Sequence, residues 1–399
     1  MDFTLSPEHN LLRDTVRKFA QNEIAPYVRE WDRNQTYDPD LLRKMGEVGL
    51  LGVCLPAKYG GADLDYIALG IACEELERVD SAPRTAMSVH VGLNSLALLQ
   101  WATPEQKQRF LAPQARGEKI AAFALTEPNA GSDPASMQAY AVRDGDSYVL
   151  NGEKTWISLA DVADHFLLFA KTDREAAHRG ITAFVVERRF PGVRTVPIHG
   201  KLGVRSGDTG SVALENVRVP LENRIGAEGE GFKIAMSALD KGRYTVASGA
   251  VGTIIACLEA SVAYANERKA FGVPIGKKEL VQQMIARMAQ SRDIGRLLCY
   301  QVGWMMNQGM RTTREVSLAK WTNCDAAFQA ANDAIEIHGA YGYCDEFPVE
   351  RYFRNARGPV IYEGTREIHQ IVQAEYALGY REDKPGGPML PGWPFSDDA

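Results

Sequence analysis

In "IYEGTREIHQ", residues 361–370, the carboxylate of Glu363 separates an aliphatic and aromatic run from a Gly-Thr step, just as a helical pattern begins. An acid so placed can act as a general base if water is kept from it, because desolvation raises a carboxylate's affinity for a proton. Its plainer role is an acid at the start of a helix. The densest polar cluster is "FALTEPNAGSDPASM" at 123–137, where Thr126, Glu127, Asn129, Gly131, Ser132 and Asp133 lie between a strand-like run and a turn. Hydroxyls and backbone N–H groups in that arrangement suit a polar ligand, and equally a structural loop.

Three textures of sequence must position these groups. Residues 1–120 carry helical periodicity: in "SPEHNLLRDTVRKFAQNEIAP" Ser6 can cap, Pro7 takes the first helical position, and Leu11, Leu12, Val16, Phe19 and Ala20 share a stripe. "DPDLLRKMGEVGL" and "TPEQKQRFLAPQARG" repeat the device, with Asp38 or Asp40 and Thr103 as caps. Residues 121–230 switch to short β-branched and aromatic runs parted by Gly, Asn, Asp and Pro. This predicts a small antiparallel β domain with a hairpin turn at Asn151-Gly152. Residues 231–380 return to long helices, enough for a four-helix bundle, so the expected fold class is α+β. The Pro/Gly-rich remainder, 381–399, reads as an irregular tail free to drape over a neighbouring subunit.

Composition excludes several classes. The chain has 399 residues, 45% hydrophobic and 24% charged, which allows a sizeable core and two or three domains. Acidic residues outnumber basic ones, 51 to 45, and no Lys/Arg block suits a nucleic acid or a lipid headgroup, so neither is an expected partner. The six cysteines are dispersed, without zinc-like spacing, and read as buried reduced thiols. The first residues lack the pattern of a secretory or transit signal, which gives a cytoplasmic expectation. The run 244–265 is long enough to cross a membrane, but it is rich in small residues and carries Glu259. It reads as a buried interface helix, not as a span.

The polar loop, "NGEKTWIS", "DKGRYTVASGAVG", "ERKAFGVPI", "FPVERYFRNAR" and "IYEGTREI" stand in the order found in the acyl-CoA dehydrogenase family, which the sequence resembles over nearly its whole length. The resemblance implies an α-helical domain, a β domain and a helical bundle, with FAD held between the last two. It further implies a homotetramer in which a neighbouring subunit completes the cofactor site, and an electron-transfer flavoprotein as acceptor. The implied reaction removes a proton from the α carbon and a hydride from the β carbon of an acyl-CoA substrate, with Glu363 as base and flavin N5 facing the β carbon. A carboxylate of ordinary pKa, about 4.3, is a poor match for that proton, so the site must be dry. Gly364 would let backbone approach the thioester, whose carbonyl would be held by the Glu363 N–H and a flavin hydroxyl. Some relatives take the base from the residue before the arginine of "DKGR"; that residue is Gly242 here, and Glu363 has no rival.

Other roles implied by the resemblance carry over one residue at a time. Leu125, Thr126 and Ser132 fall in the flavin-contacting loop, and Ser132 also borders the thioester tail. Trp156 and Ser158 match a tryptophan packed on the flavin and a hydroxyl near N5. Arg268, Phe271 and Gln282 resemble residues that reach FAD from the second subunit, Glu336 and Gly339 stand at a further cofactor motif, and Thr365 and Glu367 look like additional FAD contacts. Asp240, Arg243, Tyr362 and Gly364 fall on the substrate side. A core aromatic is the alternative for Trp156, and an ordinary ion pair for Asp240 and Arg243. The family usually has Gln where Glu336 stands and Gly where Ala340 stands. A carboxylate about 4 Å from a pyrophosphate costs roughly 4 kcal/mol at an effective dielectric of about 20, so Glu336 must be offset, protonated or turned away. Asn355 replaces a usual Asp.

The segment "ELERVDSAPRTAMSV", 75–89, is similar to the glutaryl-CoA dehydrogenase branch at Glu77, Arg84, Thr85 and Ser88, where the arginine holds the substrate's far carboxylate. An arginine in an apolar pocket needs an anion, which predicts a dicarboxylic acid mono-CoA ester. The alternative is a structural ion pair with Glu77 or Asp80 and a short, medium or cyclic monocarboxylic substrate. Pro83 replaces an aromatic, which predicts a pocket for a bulkier or differently shaped acid than glutarate. Two other readings remain: a flavin oxidase or monooxygenase on the same fold, which needs no carboxylate at 363, and a non-catalytic FAD scaffold.

Overall fold

A computed structural model describes residues 4–36, 38–383 and 387–396. The N-terminal helices start at the expected caps. Ser6 accepts from the His9 N–H ahead of Pro7–Glu23, Asp38 from the Asp40 N–H, and Thr103 forms a capping box with Gln106. The buried stripe of the first helix is Val16, Phe19 and Ala20, while Leu11 faces solvent. Five residues at about 100° each put Leu11 about 140° from Val16, off the apolar face.

The middle of the chain is one eight-stranded sheet. Its spatial order is Val193–Pro197, Thr209–Pro220, Ser147–Ser158, Tyr140–Asp144, His165–Lys171, Ile181–Glu187 and Arg224–Ile225, with Ala121–Ala124 also on His165–Lys171. Most pairs are antiparallel, but two are parallel: Ala121–Ala124 runs beside His165–Leu168, and Tyr140 continues that line opposite Lys171. The chain leaves the sheet after Ala124 and rejoins the same row at Tyr140, so residues 125–139 are extruded as a loop. The hairpin turn is also displaced from its expected place. It sits at Gly145-Asp146, between the paired Asp144 and Ser147, whereas Asn151-Gly152 lies inside the Ser147–Ser158 strand at an irregularity in register. A Cβ on Gly152 would stand 2.6 Å from that of Ala139, so close strand packing, not a turn, accounts for this glycine.

The 37-residue helix Gly231–Glu267 is the axis of the helical C-terminal part, against which Tyr66–Glu77, Glu279–Asn307 and Thr313–His338 pack. It is long and apolar enough to cross a membrane, yet it is mostly buried within the protein. At Gly252 a Cβ would meet the Glu74 carbonyl oxygen at 2.2 Å, so the approach of Tyr66–Glu77 requires glycine there.

Two local expectations change, for Cys344 and Pro83. Five cysteines are buried, but Cys344 is exposed. In the tail, residues 387–396 pack against their own chain. The Tyr66 hydroxyl donates to the Pro391 carbonyl at 2.7 Å, the Trp393 N–H to that of Asn307 at 2.8 Å, and Phe395 meets Tyr66 edge-on. Pro83 is buried in the first turn of Ser81–Met87, where no helical donor is lost, and it does not line the cavity that Arg84 and Thr85 line.

The Asn355 departure has a physical reason. Its Nδ2 donates to Asp80 at 3.0 Å and its Oδ1 accepts from the Val204 N–H at 2.7 Å, both inside the protein. An aspartate would set a second carboxylate against Asp80. Asn355→Asp should therefore lower stability by about 1–3 kcal/mol, read as a lower denaturant midpoint.

Candidate active site

Glu363 lies in the turn between the helices Val349–Arg357 and Arg366–Ala377, the latter capped by Thr365. Its φ of 54° and the 95° of Gly364 are left-handed, a strained state for a glutamate. Two cations hold that shape: Arg243 Nε donates to the Glu363 carbonyl at 3.1 Å, and Lys320 Nζ to the Gly364 carbonyl at 2.6 Å. The buried His369 packs so closely beneath that a Cβ at position 364 would lie 2.9 Å from its Nε2. Burial, with Lys320 and Arg243 near, pushes the His369 pKa down to about 3, so the imidazole is neutral.

The carboxyl itself has one supporting donor. Ser88 Oγ donates to Oε1 at 3.0 Å, whereas Oε2 is buried and without a hydrogen-bond partner among the described residues. Ser88 begins a π-helical stretch, Ser88–Ser95, that continues the Ser81–Met87 helix. Burial raises the Glu363 pKa, opposed by Arg84, the Ser88 hydroxyl, Lys320 and Arg243. Gly242 faces the acid: a Cβ there would stand 2.1 Å from Glu363 Oε2.

Arg84 is fully buried. Its Nε donates to Glu77, its Nη2 donates to the Tyr362 hydroxyl at 2.6 Å, and its Nη1 has no partner among the described residues. The ion pair is with Glu77 rather than Asp80, which is committed to Arg351, Asn355 and Ser206. Asp240 pairs with Arg243 at 3.2 Å and accepts from Thr313 at 2.7 Å.

A cavity of about 1240 Å³ joins these groups to the sheet. Arg84, Thr85, Asp240, Arg243, Tyr362, Glu363, Gly364 and Thr365 line it on the helical side; Leu125, Thr126, Ser132, Trp156 and Ser158 line it on the β side. Trp156 is 61% exposed, with φ 59°, in a register irregularity between Lys154 and Ile157 that turns its indole out of the strand. The extruded loop is fastened from within: Lys154 Nζ donates to Glu127 Oε1 at 2.8 Å and to the Leu125 carbonyl at 3.1 Å, and Glu127 accepts from the Ala139 N–H at 3.0 Å.

Comparison with known proteins matches the chain to the N-terminal, middle and C-terminal domains of acyl-CoA dehydrogenase at residues 6–118, 122–217 and 229–378. The chain belongs to the acyl-CoA dehydrogenase family. It is 39% identical over 372 residues to a short-chain specific acyl-CoA dehydrogenase of Clostridium acetobutylicum, covering 93% of this chain and 98% of that one. It is 38% identical over 388 residues to a glutaryl-CoA dehydrogenase of Desulfococcus multivorans, covering 96% and 99%. A glutaryl-CoA dehydrogenase of Mycobacterium smegmatis solved with FADH2 is 32% identical with a TM-score of 0.89, covering 95% of this chain and 97% of that one.

As an acyl-CoA dehydrogenase the protein is an oxidoreductase acting on a CH–CH bond, and its cofactor is FAD. The β side of the cavity fits that cofactor, since the out-turned indole of Trp156 offers a flat face and Thr126, Ser132 and Ser158 offer hydroxyls. Seven expected residues do not line this cavity: Ser88 is buried behind the Glu363 carboxyl, and six lie apart from it. Arg268, Phe271 and Gln282 are exposed beyond the end of Gly231–Glu267, with Phe271 94% exposed. Glu367, Glu336 and Gly339 are also exposed, and Glu336 accepts from Asn332 at 3.0 Å. The Glu336 carboxylate is thus turned outward within this chain.

The sequence reading missed Lys320, Lys154, Lys241 and His369. Each is buried, and Lys241 donates to Gln100 while burial brings its pKa down to about 8. For the three lysines the available signal was a lysine within the apolar pattern of a helix or strand.

Two outcomes follow. Ser88→Ala removes a donor that favours the charged acid, so the Glu363 pKa rises further, and the pH limb of flavin reduction should move to higher pH at unchanged FAD content. Lys154→Met leaves the buried Glu127 carboxylate without its counter-ion, which should cost about 3–5 kcal/mol and release FAD, read by denaturation and by loss of yellow colour.

Proposed function

We propose that the protein dehydrogenates, at the α and β carbons, the CoA thioester of a short dicarboxylic acid, with Glu363 as base and Arg84 as anchor of the far carboxylate. The observation that carries this reading is a pair of buried atoms without partners among the described residues, Glu363 Oε2 and Arg84 Nη1, on residues that line the same cavity. The first is free to take the α proton; the second is a donor left for an anion. The clamped turn keeps the carboxyl on one line of approach, and the Glu363 N–H stabilises the enolate-like charge on the thioester carbonyl. FAD, when bound against Trp156 and Ser158, supplies the hydride acceptor. Electrons then pass to an electron-transfer flavoprotein, and a homotetramer brings Arg268, Phe271 and Gln282 of one subunit to the cofactor of another. Five buried thiols suit the reducing cytoplasm.

One observation favours a second reading. Glu77 already neutralises Arg84, so a short monocarboxylic acyl group would leave no net charge stranded there.

Anaerobic titration of the yellow protein with a panel of monocarboxylic and dicarboxylic CoA thioesters separates the two. Glutaryl-like esters should bleach the flavin at least about tenfold more efficiently than butyryl-like ones; the reverse order selects the monocarboxylic reading. Glu363→Gln should keep the colour and slow reduction by about a thousandfold. Undiminished reduction in that variant would place the base elsewhere.

A further inference from the structure

The described tail residues 387–396 lie beyond residue 378, where the family match ends, and they pack beside the reaction cavity. Their position relative to the chemistry can be read along the helix Gly231–Glu267. Near its middle, a Cβ on Gly249 would touch Arg84 Cδ at 2.8 Å. Seven residues earlier, about 10 Å at 1.5 Å per residue, Gly242 faces the Glu363 carboxyl. Next to it, Lys241 donates to Gln100 Oε1, and Gln100 Nε2 donates in turn to the Pro388 carbonyl at 2.7 Å. One turn further, Ser237 accepts from Trp101 Nε1 at 2.9 Å, and Trp101 lies under Gly387. Arg84, the acid and the tail therefore follow one another along a single helix, with the tail on the far side of Glu363 from Arg84.

A thioester has two substituents on its carbonyl. If the acyl chain runs toward Arg84, its carrier leaves the other way, past Lys241 and the tail. Pro388, Met389 and Leu390 line the same cavity as Glu363. Leu390 is buried, but Met389 is 44% exposed. An apolar strip bordered by the Gln100 amide and the Lys241 amine suits a thin chain of methylenes and amides.

We infer that residues 388–390 form a wall for the pantetheine arm of the substrate, so that the tail sets affinity for the CoA carrier and not for the acyl group. This rests on the CoA-thioester reading above. Besides Gln100 on the Pro388 carbonyl, the tail has anchors outside the wall: the Tyr66 hydroxyl on the Pro391 carbonyl, and Trp393 on Asn307 and Asp63. They fix the strip without entering the cavity.

The test compares the holoenzyme, a variant ending at Gly387, and Met389→Trp, each with the CoA and the N-acetylcysteamine thioester of one acid. The short thioester lacks most of the arm. In both variants KM for the CoA ester should rise about tenfold. KM for the short thioester and kcat for both should stay within about twofold, at equal FAD content. Met389→Trp keeps every anchor, so it decides the matter if the shortened chain fails to fold. Parallel shifts for both thioesters, or none for either, would overturn the wall. A wild-type enzyme bleached by no acyl thioester would sink the CoA-thioester reading and the wall with it, whereas a wild type that turns over leaves only the wall at stake.

Discussion

A glutamate in a left-handed turn, with its own carbonyl held by the partly buried Arg243 and the next one by the buried Lys320, is the constraint on which the site depends. Left-handed backbone at a residue with a side chain costs about 1–3 kcal/mol. Hydrogen bonds from charged donors contribute about 1.5–3 kcal/mol each, so Arg243 and Lys320 together outweigh the strain. The cations come from two helices, Gly231–Glu267 and Thr313–His338, so the turn keeps its shape only while those helices are packed. Geometry at the acid is therefore a property of the whole helical part, not of the turn.

The same cations act on the acid's charge. Burial disfavours ionised Glu363, while Arg84, Ser88, Lys320 and Arg243 favour it. The balance leaves a carboxyl more basic than usual, as suits an abstracting base. On the opposite wall a second buried pair, Lys154 with Glu127, fixes the loop that leaves and rejoins one row of the sheet. Both faces of the cavity thus use charged groups inside the protein to hold irregular backbone where regular hydrogen bonding cannot.

Much of this was legible in the sequence wherever a signal is local. Ser6, Asp38 and Thr103 cap as their neighbours indicate, and the textures separate helices from strands. The acid at 363 was found because motif order surrounds it. The turn assigned to Asn151-Gly152 failed because a glycine needed for strand packing has the same spelling as one needed for a hairpin. Lys154, Lys241 and Lys320 escaped for a related reason: a lone lysine in an amphipathic pattern reads as solvated, and only the assembled fold shows that its partner is a carboxylate, an amide or a carbonyl. Arg84 carried two readings, an ion pair and an anion anchor. Glu77 supplies the first, while the bare Nη1 keeps the second.

Gly242 has a consequence for lineage. Because a Cβ at that position would stand 2.1 Å from Glu363 Oε2, any side chain there displaces the carboxyl from the place it holds in this packing. A descendant that gained an acid at 242 would move the older one out of position as it did so, so the address of the acid is inherited as a linked pair of residues.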